Sequence, residues 1–242
     1  MPIKAITFDL WNTLLSEGNY IDLRINYLHD ALEDLGFPRD LEEIKNAYRS
    51  AHDYAHKVWA EENYRYVPAE ERVEYMLKRL RINLPDSVKE PIVKWFKETI
   101  LRRPPSLIEG VKETITTLHG RFRLGIICDT GMTPGYVMRI VLRRAGILGF
   151  FDSTVFSDEV GFNKPHRLVF KRALMELGVM PSEAVHVGDL LHTDIAGAKM
   201  IGMRAVWIRR EAVMGYEAIR YKPDYEIEEL AEIIDVLRRI QS

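Results

Sequence analysis

The sequence predicts an α/β protein, a doubly wound parallel sheet with an inserted all-helical block, and three observations carry that prediction. Short apolar, β-branched runs recur in two parts of the chain, longer amphipathic stretches separate them, and one long segment shows helical periodicity without a strand. The runs at 3–8, 122–127, 153–156, 184–187 and 205–208 read as strands buried on both faces. Helical patterns occupy 107–118, 135–145, 168–177, 193–200 and 227–240. Strand, helix and strand in repetition make a parallel sheet, whose ligands sit at the carboxyl ends of its strands.

The segment 17–103 breaks that rhythm and reads as four helices, at 21–35, 41–60, 69–80 and 87–100. Gly36-Phe37-Pro38, Tyr66-Val67-Pro68 and Leu84-Pro85 punctuate them, and Pro104-Pro105 closes the segment. Residues 1–16 and 104–242 are therefore assigned to an α/β core and 17–103 to a helical cap. A block inserted after the first strand stands over the carboxyl end of that strand. Ser16-Glu17-Gly18-Asn19 reads as a flexible linker and Pro104-Pro105 as a stiff one, so the cap is expected to rock over the core as a lid.

The 242 residues carry 34 Lys and Arg against 36 Asp and Glu, a formal net charge of −2, which lacks the basic excess of a general nucleic-acid binder. A chain that is 47% hydrophobic and 29% charged is an ordinary globular one, not a disordered one. No stretch approaches the ~18 uncharged residues of a membrane span. The N-terminus has Lys4 inside its first apolar run and no cleavage-like site, so it does not read as a signal peptide. One cysteine, Cys128, forms no intrachain disulfide. The expectation is a cytoplasmic protein, monomer or homodimer, with no nucleic-acid or membrane partner.

Two acidic positions define a candidate site. Asp9 ends the first strand, and Gly188-Asp189-Leu190-Leu191-His192-Thr193-Asp194 follows the strand at 184–187. Carboxylates gathered at one edge of a parallel sheet make an oxygen pocket suited to a hard cation such as Mg²⁺. Lys164, in Asn163-Lys164-Pro165, follows the strand at 153–156 by a short loop and brings a cation to the same edge. A carboxylate nucleophile, Mg²⁺ and a lysine together offset the spread charge of a transferring phosphoryl group.

These residues, in this order, resemble the haloacid dehalogenase (HAD) superfamily of hydrolases. The first motif, D-x-D-x-T after an apolar strand, appears as Asp9-Leu10-Trp11-Asn12-Thr13. The second, a strand ending in Ser or Thr, appears as Leu124-Gly125-Ile126-Ile127-Cys128-Asp129-Thr130. Lys164 stands for the third, and Gly188-Asp189 through Asp194 for the fourth, G-D-x-x-x-x-D. The likeness spans the whole chain, including Lys222-Pro223-Asp224-Tyr225 before the last helix. It implies a Rossmann-like core with a helical cap and a Mg²⁺-dependent phosphatase acting on a small phosphorylated molecule through an aspartyl-phosphate. In that scheme Asp9 and Lys164 are catalytic. Cys128, Asp129, Thr130 and Lys164 bind phosphate, and Asp9, the Trp11 carbonyl, Asp189 and Asp194 serve the metal.

Two positions depart from the family's pattern. Trp11 stands where the family's phosphatases place a second Asp that protonates the leaving group, and an indole offers only an N–H donor. Cys128 falls in the Ser/Thr register, where a thiol is a weak donor, so the Asp129 backbone N–H or the Thr130 hydroxyl is left to take that part. A cysteine-dependent phosphatase would need C-x-x-x-x-x-R, but Pro134 holds the arginine position. A metal-independent 2-haloacid dehalogenase remains the alternative, since that branch also carries an aromatic in place of the second Asp. It has no acid corresponding to Asp189, and two carboxylates together without a cation repel each other. A catalytically weak member that binds phosphorylated ligands or a protein partner is a third reading.

In the cap, Trp59, Tyr64, Arg65 and Tyr66 are candidates either for substrate contact or for packing. His52 and His56 share a helix face without the Glu of a zincin site and read as solvated surface, as does His192 in the fourth motif. The charged stretch 226–232 reads as the exposed face of an amphipathic helix.

Overall fold

The computed structural model describes residues 2–210 and 220–241. Its centre is a six-stranded parallel sheet built from β1 (Ala5–Phe8), β2 (Arg123–Cys128), β3 (Ser153–Phe156), β4 (Ala184–Gly188), β5 (Arg204–Ile208) and β6 (Tyr225–Ile227). The strand order is β3-β2-β1-β4-β5-β6, with every pairing parallel. Alternation along each strand divides its side chains between two apolar layers. Ile6, Phe8, Leu124, Ile126, Val185, Val187 and Val206 face one layer. Helices α5 (Val111–Leu118), α6 (Gly135–Arg144) and α10 (Ile233–Gln241) cover it. Ala5, Ile127, Val155, Ala184 and Trp207 face the other, under α8 (Arg167–Leu177) and α9 (Ala196–Met200). Burial on both faces explains why the strands read as continuous apolar runs.

Between β1 and α5 stand α1 (Ile21–Asp34), α2 (Leu41–Glu61), α3 (Ala69–Arg79) and α4 (Asp86–Glu98), then a short 3₁₀ turn at Thr99–Arg102. Their apolar faces form a cluster of their own around Leu28, Ile44, Val73, Met76 and Phe96. Pro68 and Pro85 immediately precede α3 and α4, where a missing N–H costs nothing. One core side chain, Met132, is buried in this helical cluster and pins the two parts together. The two linkers are hydrogen-bonded to each other and not loose. Ser16 N–H donates to the Ser106 carbonyl at 2.9 Å, and the Tyr20 hydroxyl to the Arg103 carbonyl at 3.0 Å.

The tail corrects the sequence reading. Residues 225–227 are the edge strand β6, Leu230–Glu232 is a 3₁₀ turn, and the helix begins only at Ile233. The charged stretch 226–232 is therefore not a helix face: Glu228 and Glu229 N–H both donate to Glu232 Oε1, capping the turn. The helix expected over 107–118 starts at Val111, after Gly110 at φ 76°. The helix expected over 193–200 opens with a wide π-type turn at Leu191–Ile195 before α9. Asp224 is structural: its carboxylate accepts from Ala205 N–H at 2.8 Å and pairs with Lys199 at 2.7 Å.

Gly197 on α9 lets that helix lie against α8, because a Cβ there would overlap the buried Phe170 ring and crowd the Pro165 backbone. Gly197→Ala should destabilise the chain by about 1–3 kcal/mol through overpacking. The thermal midpoint would fall by roughly 2–4 °C per kcal/mol. An unchanged midpoint would mean the two helices do not meet there.

Candidate active site

Register fixes what surrounds the end of β1. Phe8 lies opposite Ile126 of β2 and Val187 of β4, so Asp9 leaves β1 level with Ile127 and Gly188. The Asp9 amide donates to the Val187 carbonyl at 2.8 Å. In this strand order the connections reverse direction between β1 and β4, the place where such a sheet opens a crevice. Beyond Asp9 the chain curls, with Leu14 and Leu15 N–H both donating to the Leu10 carbonyl at 2.9 and 2.8 Å. Asn12 takes φ 54°, a left-handed conformation that Asn tolerates better than most side chains. The Trp11 carbonyl accepts no hydrogen bond among the described residues, while its indole packs on the main apolar layer.

Lys164, 3% exposed, reaches this crevice from the loop after the short helix α7 (Ser157–Val160). Its ammonium donates to Asp9 Oδ1, to Asp194 Oδ1 at 2.7 Å and to the Ile127 carbonyl at 3.1 Å, which uses all three protons. Asp194 is buried and held from behind. Leu190 N–H donates to its Oδ2 at 3.0 Å, and His186 Nε2 lies 3.3 Å from Oδ1. The His186 ring also meets the Thr7 hydroxyl through Nδ1 at 2.9 Å. Burial lowers the His186 pKa, so a neutral ring donates from Nε2 to Asp194 and accepts at Nδ1.

One oxygen from each of Asp9, Asp189 and Asp194 lies within 4.8 Å of the others. Were all three ionised, the carboxylates would outweigh the single lysine. Burial pushes Asp9 well above the usual carboxylate range; Lys164 opposes the shift, and Asp194 and Asp189 add to it. Burial, then Asp194, raises Asp189 to about 6. Burial works on Asp194 too, but Lys164 and His186 outweigh it and hold that carboxyl low. Burial alone would pull Lys164 down, and Asp194, Asp9 and Asp129 carry it well above the ordinary lysine value. An all-oxygen donor set with surplus negative charge fits a hard divalent cation. Two buried hydroxyls in the same motifs, Thr13 and Thr193, have no partner, as in a site built for more than the chain itself supplies.

The second motif divides its duties. Cys128 is 2% exposed in the apolar layer, where burial and then Asp9 push its thiol well up, so the sulfur stays protonated. The Thr130 hydroxyl and amide both meet Ser157 Oγ, at 3.1 and 3.0 Å. The Asp129 carboxylate, raised to about 6 by burial, accepts from Lys164 N–H at 2.9 Å. The Asp129 amide makes no hydrogen bond among the described residues.

From the cap, Trp59 donates its indole N–H to the Lys164 carbonyl at 3.0 Å and lies edge-on to His192, ring centroids 6.1 Å apart. Tyr64 packs against Trp59, and its carbonyl accepts from Asn163 N–H at 2.8 Å. The Tyr66 hydroxyl donates to the Gly131 carbonyl at 2.8 Å. Arg65 is turned to the cap's own acids, Glu62 at 2.7 Å and Glu71 at 3.0 Å. His52 and His56 are exposed and join no metal-like cluster among the described residues. Two partners escaped the sequence reading. Ser157 follows β3 without a motif of its own, and His186 lies inside an apolar strand, where only its polarity marked it as needing a buried partner.

Residues 3–202 match the family model for haloacid dehalogenase-like hydrolases, and the chain belongs to that family. It is 31% identical over 244 residues to a glyceraldehyde 3-phosphate phosphatase of Pyrococcus furiosus, an alignment covering 98% of this chain and 94% of the relative. Its fold is similar to a HAD phosphatase from Thermococcus onnurineus, with TM-score 0.67, 28% identity and coverage of 97% and 98%. It is also similar to a 2-haloacid dehalogenase from Pseudomonas syringae pv. Tomato DC3000, with TM-score 0.73, 26% identity and coverage of 98% and 99%. Among the described residues no helix is long and apolar enough to cross a membrane.

The raised carboxyls set a pH-dependent test. With folded pKa values of about 6 against an ordinary 3.8, Asp129 and Asp189 contribute stability below about pH 4 that is lost as pH rises through 6. A cation held by deprotonated Asp189 would restore the Asp189 share. Mg²⁺ at about 100 times its dissociation constant should add about 2.7 kcal/mol near pH 8 and far less near pH 5. Thermal melts with equal Mg²⁺ gains at both pH values would contradict the site.

Proposed function

We propose that this hydrolase is a Mg²⁺-dependent phosphatase that acts on a small phosphorylated compound through an aspartyl-phosphate at Asp9. The observation that carries the reading is the third carboxylate: Asp189 stands beside Asp9 and Asp194, a repulsive arrangement unless a cation shares it. The name of the Pyrococcus furiosus relative, a phosphatase, supports the same reading. Mg²⁺ would be held by Asp9, the Trp11 carbonyl and Asp189, with Asp194 orienting its water shell, and when bound it neutralises phosphoryl charge.

Lys164 already bonds Asp9 Oδ1, which leaves Oδ2 as the attacking oxygen. Oδ2 attacks phosphorus in line, and the bond from phosphorus to the leaving oxygen breaks as the Asp9–phosphorus bond forms. Water then attacks phosphorus, releasing phosphate and regenerating Asp9. Lys164, through its charge, and the unpaired Asp129 amide, as a donor, stabilise the equatorial oxygens. The Trp11 indole neither protonates the leaving group nor activates the water. Trp59, with Tyr64 behind it, would face the leaving group from the cap, while the Arg65 guanidinium is paired with Glu62 and Glu71 of the cap itself.

Asp9→Asn should abolish phosphate release, since an amide oxygen is no nucleophile toward phosphorus; near-native turnover would remove the mechanism. Without a positioned acid, worth about 10² to 10⁴ in rate, kcat should fall steeply as leaving-group pKa rises, aryl and acyl phosphates outrunning alkyl esters. Equal kcat for alkyl and nitrophenyl phosphates, with chemistry limiting both, would show that another group supplies the proton. The aromatic at Trp11 keeps the dehalogenase reading in play. Metal-independent halide release from a 2-haloacid, with no phosphate release, would establish it.

A further inference from the structure

A cavity of about 530 Å³ lies at the seam of cap and core, between α1, α2 and the loop Gly131-Met132. Its charged lining is four cations, Arg24, Lys45, Arg49 and Arg72, against Glu17 and Asp22. Lys45 is paired with Glu42 at 2.7 Å. The three guanidinium groups have no carboxylate in salt-bridge reach among the described residues, and their bonds go to neutral acceptors. Arg24, 7% exposed, donates to the Phe96 carbonyl at 3.1 Å and to Thr133 Oγ1 at 3.0 Å. Arg72 donates to the Val67 carbonyl at 3.0 Å, and Arg49 to Asn46 Oδ1 at 2.8 Å. Burial lowers the Arg72 pKa, with Arg24 adding to the shift, so like charges crowd one seam. Guanidinium groups that outnumber the acids of a partly buried cavity and bond only to neutral acceptors are costly to hold, and an anion lowers that cost.

The cavity is tied to the active site at three points. Gly131-Met132 directly continues Asp129-Thr130, and Glu17 to Asp22 continues the first motif into the cap. On α2, Lys45, Arg49, His52, His56 and Trp59 recur at steps of four and three, one helix face. Trp59 at its end touches Lys164, and Arg49 lies about 15 Å back along the helix, at 1.5 Å per residue.

We propose that this seam is an anion subsite in which Arg24, Arg49 and Arg72 receive a second acidic group, a carboxylate or phosphate, carried by the substrate away from its scissile phosphate. The inference rests on the phosphatase reading and narrows its substrate class to phosphate esters with an anionic far end. A planar guanidinium fork matches either anion with two parallel hydrogen bonds.

The test compares kcat/KM, with Mg²⁺, for three phosphate esters of equal chain length ending in a carboxylate, a second phosphate or a neutral hydroxyl. Arg49 is exposed on a helix surface, so Arg49→Ala and Arg49→Lys probe the site without disturbing buried Arg24. The wild-type enzyme should favour an anionic-ended ester over the neutral one by about tenfold or more, mostly in KM. Arg49→Ala should shrink that ratio by about tenfold, and Arg49→Lys by less, as expected for a charge-assisted bond. The better of the two anionic esters identifies the anion. A wild-type ratio near one, or an Arg49→Ala loss equal for all three esters, overturns the subsite and leaves the phosphatase intact. Absence of phosphate release from every ester overturns the phosphatase reading itself.

Discussion

One ammonium holds the site together. Lys164 lies between Asp9 and Asp194 in the interior, where an unpaired charge is prohibitive and a well-bonded one is tolerated. Its backbone does as much as its side chain. The Lys164 amide is fixed by Asp129 and its carbonyl by Trp59 of the cap, while the preceding Asn163 is bonded to the Tyr64 and Arg65 carbonyls. The residue that bonds Asp9 is thus also one of the points where the cap is fastened to the core.

Charge is arranged in two zones around that fastening. At the sheet edge three carboxylates exceed one lysine; at the seam four cations exceed two acids. Within the site, Asp194 is spent on Lys164, Leu190 and His186 and serves as a fixed counter-charge, whereas Asp9 Oδ2 takes no hydrogen bond among the described residues. Two carboxylates a few ångströms apart are separated in role by what already bonds them.

Most of the fold was legible because its signals are periodic. Strands buried on both faces announce themselves as apolar runs, and the cap helices end within one or two residues of their sequence boundaries because Pro68, Pro85 and Gly36 mark them. Strand β6 was not legible: Tyr225-Glu226-Ile227 is three residues at a sheet edge, indistinguishable from the amphipathic helix that follows. Four polar residues of the site stood out through motif order, namely Asp9, Lys164, Asp189 and Asp194. Ser157, His186 and Arg24 acquire meaning only from burial, and Arg49 and Arg72 only from the cavity they share with Arg24, since nothing in the sequence marks one arginine from another.

Rapid quenching of the Mg²⁺-loaded enzyme during turnover, followed by borohydride reduction, checks the covalent phosphorylation proposed for Asp9. An acyl phosphate is reduced to the alcohol, so peptide mass spectrometry should find homoserine at position 9 and at no other aspartate. Homoserine at a different aspartate, or an unmodified Asp9 in an enzyme shown to release a burst of leaving group, would rule out Asp9 as the phosphorylated residue.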